Sequence, residues 1–352
     1  MIRKVIESEK CNILRDFLVK VIDLFSGLGG LTIGAYEAAQ HLDCQFEIVL
    51  ASDMNSFCND VYNHNFEVKN FHADNIVDLD LKKIKKEKID YLFAGPPCQG
   101  NSDLNNKSRR IDPRNNLYLE TLKVIDHFQP EHFLIENVPN VIHSSQGVVK
   151  TVSNILSNKY NIREYVVDFE SLGIAQTRKR HILLGSKKLI PDDIFNNIYL
   201  KFQKKTLRDV ISDLVNCSEI DIYNTPSRMT KINKERVKYL LDNNLYDLPN
   251  EYRPKCHQGN HSYKSMYGRL NWDKPSQTIT GGFGSMGQGR FLHPSKARVI
   301  TPHEAARIQG IPDWYDFSIV SSRGALQQMI GNAVPPILSK ELIIFMENYN
   351  NE

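Results

Sequence analysis

The fold is decided by residues 21–30, which read VIDLFSGLGG. An apolar run is followed by Gly27, Gly29 and Gly30. Glycine lets the backbone turn sharply and approach a ligand closely, and open α/β sheets bind nucleotides at the carboxyl ends of their strands. The segment therefore predicts a strand, a ligand-binding turn and a helix. A dinucleotide-binding turn would carry another small residue where this chain has Thr32, which argues against a nicotinamide ligand.

Two acidic residues follow the glycine turn along the chain. Asp53 comes at the end of one strand and is suitably placed for ribose hydroxyls, and Asp74 is placed to meet an adenine amino group. A glycine turn alone is a weak signal, because many such turns merely link a strand to a helix. The two acids strengthen the prediction of a nucleotide-like ligand.

Apolar runs alternate with helical patterns throughout the first 185 residues. Alternation of this kind predicts βαβ units and an α/β fold whose mostly parallel, doubly wound sheet is covered by helices on both faces. The predicted strands are residues 21–25, 48–51, 89–94, 132–135, 162–167 and 181–184, and the predicted helices are residues 31–40, 56–63, 117–128 and 148–156.

The pattern changes after residue 185. Residues 186–294 are polar, weakly periodic and dense in glycine near their end. Residues 186–290 carry 17 basic against 11 acidic side chains, whereas the rest of the chain carries 27 basic and 30 acidic ones. This distribution fits a module that contacts a polyanion, although an uneven solvated surface explains the count equally well.

Regular patterning returns near the C-terminus. Thr301 and Glu304 form a capping box around Pro302, which predicts a helix that runs to residue 309, and a last helix is predicted at residues 336–348. We therefore predict a smaller, loop-rich domain at residues 186–294. It is inserted between two parts of a larger domain, residues 1–185 and 295–352.

A cysteine follows two prolines at the end of a predicted strand, in residues 94–100, AGPPCQG. Most cysteines are buried small hydrophobic residues. Pro96 and Pro97 fix the backbone, however, and a polar loop at a strand end favours Cys98 as a nucleophile. Residues 101–116 are polar and basic, which suits a flap that closes on a phosphate backbone or a simple exposed loop; we favour the flap.

A carboxylate and two guanidinium groups follow other strands. Glu136 comes directly after an apolar strand, and burial favours the protonated form of a carboxyl group, which suits an acid that must hold its proton. Arg178 and Arg180 precede another strand, and a period of two would direct both to one site. Taken singly, these residues also fit a helix cap and an ordinary basic edge.

Composition excludes several classes of protein. The 352 residues include six cysteines with no C-x-x-C pair, which suits neither a zinc site nor a disulfide framework. We expect no apolar stretch to span a bilayer, and residues 1–10 lack the apolar centre of a signal peptide. We expect an intracellular protein without a metal or a membrane partner.

Together the motifs resemble the cytosine-C5 DNA methyltransferase family, of the compact bacterial restriction-modification type. Six blocks occurring in family order are far more specific than one motif. The blocks are residues 23–30 DLFSGLGG, 94–100 AGPPCQG, 136–138 ENV, 176–180 QTRKR, 298–313 RVITPHEAARIQGIPD and 331–336 GNAVPP.

The resemblance implies roles for individual residues. Cys98 would be the nucleophile, Glu136 the acid at cytosine N3, and Arg180 would hold the base at O2 with Arg178 nearby. Arg298 would brace the recognition domain. The S-adenosylmethionine pocket would be lined by Phe25, Gly27, Leu28, Gly29, Gly30, Asp53, Met54, Asp74, Asn75, Pro97, Asn332, Ala333 and Val334.

The resemblance also implies a reaction. Addition of the Cys98 thiolate to cytosine C6 would make C5 reactive enough to accept a methyl group, with S-adenosylhomocysteine as the other product. The base must leave the helix stack, so the partner would be double-stranded DNA. We expect a monomer in the cytoplasm, with no metal, alongside a restriction endonuclease that acts separately.

The chain departs from the family pattern in two places, and three alternative functions remain open. Asn101 stands where many members have an aromatic residue, and residues 1–20, which read as amphipathic, lie outside the resemblance. The main alternative is a tRNA cytosine-C5 methyltransferase of the same family. A nicotinamide-dependent dehydrogenase is disfavoured by Thr32, and an inactive DNA-binding relative by the joint presence of Cys98, Glu136 and Arg180.

Overall fold

The computed structural model describes residues 18–97, 117–143, 147–218, 220–259 and 265–349. Cys98, Asn101 and the predicted flap therefore lie outside the described residues. Most of residues 1–20 lies outside them as well. The last three of those residues belong to the first strand of the sheet, so the strand starts earlier than predicted.

The strands and helices of the described residues follow one another in an α/β order. The strands are β1 Leu18–Leu24, β2 Gln45–Ser52, β3 Phe71–His72, β4 Tyr91–Ala94, β5 His132–Asn137, β6 Asn161–Asp168, β7 Gln176–Thr177, β8 Lys179–Ser186 and β9 Ser276–Gln277. The helices are α1 Gly30–His41, α2 Ser56–Asn65, α3 Leu117–Phe128, α4 Val148–Leu156, α5 Ile194–Tyr199, α6 Leu207–Ile211, α7 Lys231–Asp242, α8 Pro302–Ile308, α9 Arg323–Asn332 and α10 Ile337–Tyr349.

Seven strands form one sheet in the order β3-β2-β1-β4-β5-β8-β6. The first five pair in parallel, and β8 runs antiparallel to both β5 and β6. The prediction of a mostly parallel α/β sheet is thus confirmed. Strand order reverses between β1 and β4, and the crevice at such a point is where open α/β sheets bind ligands.

Both faces of the sheet are buried, as the apolar strands require. Along β4, Tyr91 and Phe93 belong to one hydrophobic cluster, whereas Leu92 and Ala94 belong to the other. This alternation follows from the period of two in a strand. Full burial of a large apolar side chain contributes about 1.5–3 kcal/mol, so the two clusters hold the carboxyl edge of the sheet firmly in place.

Helices α1 and α10 pack together on one face of the sheet. A Cβ atom on Gly34 would lie 1.9 Å from the carbonyl oxygen of Pro336, so this contact requires glycine. Ser339 donates a hydrogen bond of 2.7 Å to the carbonyl oxygen of Leu31 at the same contact. The C-terminal part of the chain therefore completes the layer that begins directly after the glycine turn.

Sequence patterning missed β3 and α9. The first has only two residues, and the second contains two glycines and two glutamines, which weaken its helical signal. The stretch Arg323–Tyr349 is long and apolar enough to cross a membrane by composition, contrary to our expectation. It comprises two helices separated by a turn, and 72% of its most apolar window is buried in the protein.

The inserted segment is loop-rich. Its described residues contribute three α-helices, α5 to α7, and the short strand β9, which pairs in parallel with β7. Val237, Leu240, Tyr267 and Met286 belong to a small hydrophobic cluster of its own. This cluster is separate from the sheet core, whereas Ile194, Leu207 and Phe283 of the segment pack into one of the two sheet clusters. The segment is also joined to the catalytic part by the pairing of β9 with β7, which directly precedes β8 in the chain.

Candidate active site

The glycine turn lies at the end of β1 and is held by its neighbours. The backbone N–H of Gly27 donates to Asp53 Oδ2 at 2.8 Å, and Ser26 N–H donates to the carbonyl oxygen of Ser52 at 3.0 Å. Phe25 has a φ of 55°, a conformation that a bulky residue adopts at some energetic cost. The turn is thus pre-shaped by the end of β2.

Open space lies in front of this turn. Gly27 also has a φ of 55°, and a Cβ atom there would meet nothing within 4 Å. Behind the turn the packing is tight, because a Cβ atom on Gly29 would lie 2.8 Å from the Tyr62 ring and one on Gly30 2.1 Å from the carbonyl oxygen of Val334. Among the described residues, the turn therefore leaves room for a ligand at Gly27 but is closely packed at Gly29 and Gly30.

Thr32 explains why the dinucleotide pattern fails. Its hydroxyl donates to Asp23 Oδ2 at 2.6 Å and lies 2.6 Å from the Tyr62 hydroxyl. Asp23 is buried, which raises the pKa of its carboxyl to about 7; the Thr32 hydrogen bond opposes the shift, and Asp53 adds to it. A buried polar network thus occupies the position where a smaller residue was sought.

The neighbouring strand ends supply the outer edge of the site. Asp53 accepts hydrogen bonds from Gly27 N–H and Asn55 N–H, and burial raises the pKa of its carboxyl despite these bonds. Met54 is 71% exposed, and Asp74 and Asn75 are also exposed at the end of β3. Val77, which sequence reasoning missed, is 53% exposed beside them. Exposed apolar side chains next to acids suit a flat, polar-edged ring.

The turn before α10 lies against the other side of the glycine turn. Ala333 is buried, Val334 is half-buried and Asn332 is exposed. The contact between Val334 and Gly30 joins two predicted pocket segments that are some 300 positions apart in the sequence. Leu28 is buried behind the turn and contributes packing.

The proline loop, residues 95–97, follows β4 and lies next to the glycine turn. Gly95 N–H donates to the carbonyl oxygen of Leu24 at 3.1 Å, and Asn137 Nδ2 donates to the carbonyl oxygen of Pro96 at 3.1 Å. These bonds hold the loop between β1 and β5 up to Pro97, which is half-buried. The residue that follows, Cys98, lies outside the described residues.

Glu136 and Arg180 form an ion pair at the same edge. Arg180 Nε lies 2.9 Å from Glu136 Oε1, and the two side chains are only 16% and 11% exposed. Glu136 is paired with Ile182 across β5 and β8, so Arg180, two residues earlier, shares its face. A Cβ atom on Gly95 would lie 3.9 Å from Glu136 Oε2, so the carboxylate also adjoins the proline loop. Its setting is buried but not simply apolar.

Arg178 has a different partner. It lies between β7 and β8 with only 2% of its surface exposed, and its NH1 donates to the carbonyl oxygen of Ile279 at 3.3 Å. Its Nε has no hydrogen-bond partner among the described residues. Burial lowers the pKa of Arg178, the Arg180 charge lowers it further, and Glu136 opposes both. The two arginines are therefore near enough for their charges to interact, but they have different partners. Arg178 binds the inserted segment, and Arg180 binds the Glu136 carboxylate.

The inserted segment is braced by a second buried ion pair. Arg298 donates to both oxygens of Glu304 at 2.7 Å, and Glu304 completes the predicted capping box by accepting from Thr301 N–H at 2.8 Å. His293, at the end of the segment, lies 3.4 Å from the same carboxylate, and burial lowers the pKa of this histidine to about 3. Charge therefore fixes the point where the segment rejoins α8.

The part of the chain that the structure describes offers few candidate metal ligands or reactive cysteines. No group of three or more histidine, cysteine or acidic side chains comes together there. Cys58 is buried beside Asp53, and burial, with that charge, raises the pKa of its thiol to about 12. Cys58 is therefore unsuited to act as a nucleophile.

The fold and the site define a class of enzyme: an α/β protein with a nucleotide-like site at the carboxyl edge of its sheet and a guanidinium–carboxylate pair beside it. The chain belongs to the C-5 cytosine-specific DNA methylase family, whose model matches residues 19–347. It is thus a cytosine-C5 DNA methyltransferase, and the family favours DNA over the tRNA alternative.

Individual relatives agree with this assignment. The chain is 43% identical over 337 residues to the Type II methyltransferase M1.BsuMI of Bacillus subtilis, which covers 91% of this chain and 78% of that protein. It is 32% identical over 345 residues to the Type II methylase M.HgiDII of Herpetosiphon aurantiacus, covering 91% and 92%.

Solved structures share the fold. A prophage-encoded E. coli protein described as a DNA modification methyltransferase matches with a TM-score of 0.66 and 25% identity, covering 95% of this chain and 100% of that one. The S. pombe Dnmt2 methyltransferase matches with a TM-score of 0.67 and 22% identity, covering 94% and 99%, which bears on the fold alone.

Proposed function

We propose that the chain transfers a methyl group from S-adenosylmethionine to C5 of a cytosine that has been turned out of duplex DNA, through a temporary bond to Cys98. The observation that carries the proposal is the Glu136–Arg180 pair beside the proline loop, at the carboxyl edge of the sheet, where strand order reverses between β1 and β4. This arrangement supports Glu136 as the acid and Arg180 as the cation that holds the base.

Cys98 is proposed as the nucleophile because it follows Pro97 directly in the chain. Its thiolate adds to C6 of the cytosine, which breaks the ring's aromaticity and makes C5 nucleophilic. The thiolate must approach above the ring plane, which a stacked base does not allow. The base is therefore flipped out, at a cost of a few kcal/mol.

Glu136 and Arg180 are proposed to stabilise this adduct. As the base enters and separates the ion pair, Glu136 takes up a proton from solvent and donates it to N3, where addition would otherwise leave negative charge, and Arg180 donates to O2. Their ion pair holds both groups at the site before the base arrives. Arg178 lies near this pair and holds the inserted segment through its hydrogen bond to the carbonyl oxygen of Ile279.

The residues around the glycine turn fit S-adenosylmethionine. The turn faces open space at Gly27, and Asp53 and Asp74 stand at the ends of neighbouring strands for the ribose and the adenine. Met54 and Val77 offer exposed apolar surface for the adenine faces. When bound, the cofactor supplies the electrophilic methyl group that C5 accepts. A water molecule then accepts the C5 proton, and the electron pair of the C5–H bond expels the Cys98 thiolate from C6.

Residues 186–294 are proposed as the target-recognition domain, with residues 1–185 and 295–352 as the catalytic domain. The basic side chains of the segment suit phosphate contacts and guanine edges. We further propose that the protein acts as a monomer on DNA in the cytoplasm, within a restriction-modification system whose endonuclease is a separate protein.

The test is methylation of cellular DNA. Bisulfite sequencing of DNA from bacteria that express the chain should reveal one short sequence context in which a single cytosine resists conversion. The Cys98→Ser variant should bind S-adenosylhomocysteine in calorimetry but leave that context unmethylated. Unmethylated DNA with the wild-type chain, or methylation by the variant, would refute the proposal. Methyl transfer to tRNA rather than duplex DNA would support the alternative.

A further inference from the structure

The glycine-rich part of the inserted segment packs directly on α9. A Cβ atom on Gly331 would lie 2.2 Å from both Gly281 N and the carbonyl carbon of Thr280. One on Gly284 would lie 2.0 Å from Gln327 Nε2 of the same helix. At Gly331 the neighbouring atoms belong to the backbone and leave no room for a side chain, so the backbone of the segment rests on the backbone of α9 there.

The same helix leads straight into the turn that contacts the cofactor site. Residues 332–334 follow Gly331, and the carbonyl oxygen of Val334 would lie 2.1 Å from a Cβ atom on Gly30. One short stretch of chain therefore touches the inserted segment at Gly331 and the glycine turn at Val334. Close-packed contacts transmit displacement, because the backbone atoms have no space in which to absorb it.

Two buried glutamines make a second, independent connection. Gln309 Nε2 donates to the carbonyl oxygen of Ile330 at 2.8 Å. Gln309 Oε1 accepts from Gln176 Nε2 at 2.7 Å, and Gln176 Oε1 accepts from Ile279 N–H at 2.8 Å. Both glutamines are fully buried. A continuous chain of hydrogen bonds thus runs from the inserted segment to the end of α9.

We propose that Gln309 and Gly331 are positioning residues that make the placement of the glycine-rich segment and the shape of the cofactor turn interdependent. The inference rests on the proposed function, in which these two regions bind DNA and the methyl donor. Neither residue touches a substrate; both act through the main chain of residues 330–334. Since such coupling is reciprocal, a ligand that orders the cofactor turn also orders the glycine-rich segment.

The coupling can be measured without knowing the DNA sequence. Hydrogen–deuterium exchange of the full chain should slow at residues 279–285 when S-adenosylhomocysteine is added. The decisive amide is that of Ile279, which donates to Gln176. In Gly331→Ala the new methyl group displaces the segment, and in Gln309→Met, a change of similar volume, the donor to Ile330 is lost. Both variants should lose this protection and bind S-adenosylhomocysteine about tenfold more weakly, within the usual range of coupling.

Gly324→Ala is the matched control, because Gly324 lies in the same helix and its added Cβ atom would meet nothing within 4 Å. It should keep both the affinity and the protection. Equal protection in wild type, Gly331→Ala and Gln309→Met would overturn the inference, as would a wild type that binds S-adenosylhomocysteine without protecting residues 279–285. If Gly331→Ala does not fold, the exchange protection and S-adenosylhomocysteine affinity of Gln309→Met test the inference alone. A wild type that does not bind S-adenosylhomocysteine would instead refute the proposed function on which the inference stands.

Discussion

Replacement of Asp23 by asparagine should change how the stability of the protein depends on pH. Asp23 is 2% exposed, and burial raises the pKa of its carboxyl to about 7 from 3.8. Between these values the folded protein keeps a proton that the unfolded chain has lost. The free energy of unfolding therefore falls as the pH rises from about 4 to about 7 and is level above that.

The size of the effect follows from the shift. About three pKa units correspond to roughly 4 kcal/mol of stability lost across this window, as an order of magnitude. Asparagine cannot ionise, and its amide oxygen can still accept the hydrogen bond from Thr32, which lies 2.6 Å from Asp23. Relative to wild type, Asp23→Asn should therefore gain several kcal/mol between about pH 4 and pH 8.

Urea unfolding of both proteins at a series of pH values measures this difference directly. Subtraction removes the contributions of groups that the two proteins share, such as His132 and His293, whose pKa values burial lowers to about 3. Asp60→Asn, an exposed aspartate of α2, controls for the loss of one charge. The reasoning would be refuted if the difference in free energy of unfolding between Asp23→Asn and wild type changed by less than about 1 kcal/mol from pH 4 to pH 8.

Two further substitutions test the charged groups. Glu136→Gln should lower kcat about 10²–10⁴-fold without changing S-adenosylhomocysteine affinity, because it removes the acid but does not touch the glycine turn. Steady-state kinetics with methylatable DNA measure this effect. A kcat equal to that of wild type would contradict the prediction. Arg298→Met should cost about 3–5 kcal/mol of stability, since it leaves Glu304 charged and 1% exposed without its partner. Arg208→Met, whose partner Asp273 is 74% exposed, is the control and should cost less than about 1 kcal/mol in the same urea titration; equal losses would count against the buried pair.

Much of the sheet could be predicted because its central strands are buried on both faces. Continuous apolar runs mark β1, β2, β4 and β5 in the sequence, and α3 and α4 have the predicted bounds. The capping box at Thr301 is local, involving residues three apart, and it is present as predicted. Local chemistry of this kind is visible in a single sequence.

The pairing of distant residues could not be predicted. The Glu136–Arg180 ion pair depends on the register of β5 against β8, and no local pattern fixes that register. The same holds for Gln176 and Gln309, which lie 133 positions apart. Thr32 was recognised as a departure from the dinucleotide pattern, but its bond to Asp23 depends on how α1 packs against β1.

The role of Cys98 is tested most directly by trapping its bond to the base. Fluorine at C5 of cytosine prevents the loss of hydrogen that would release the thiolate. Mass spectrometry of the chain after incubation with S-adenosylmethionine and duplex DNA carrying 5-fluorocytosine at the methylated position should show a covalent adduct on the peptide that contains Cys98. The Cys98→Ser variant should form none. An adduct on another residue, or its absence from wild type that methylates the same unsubstituted duplex, would contradict the account.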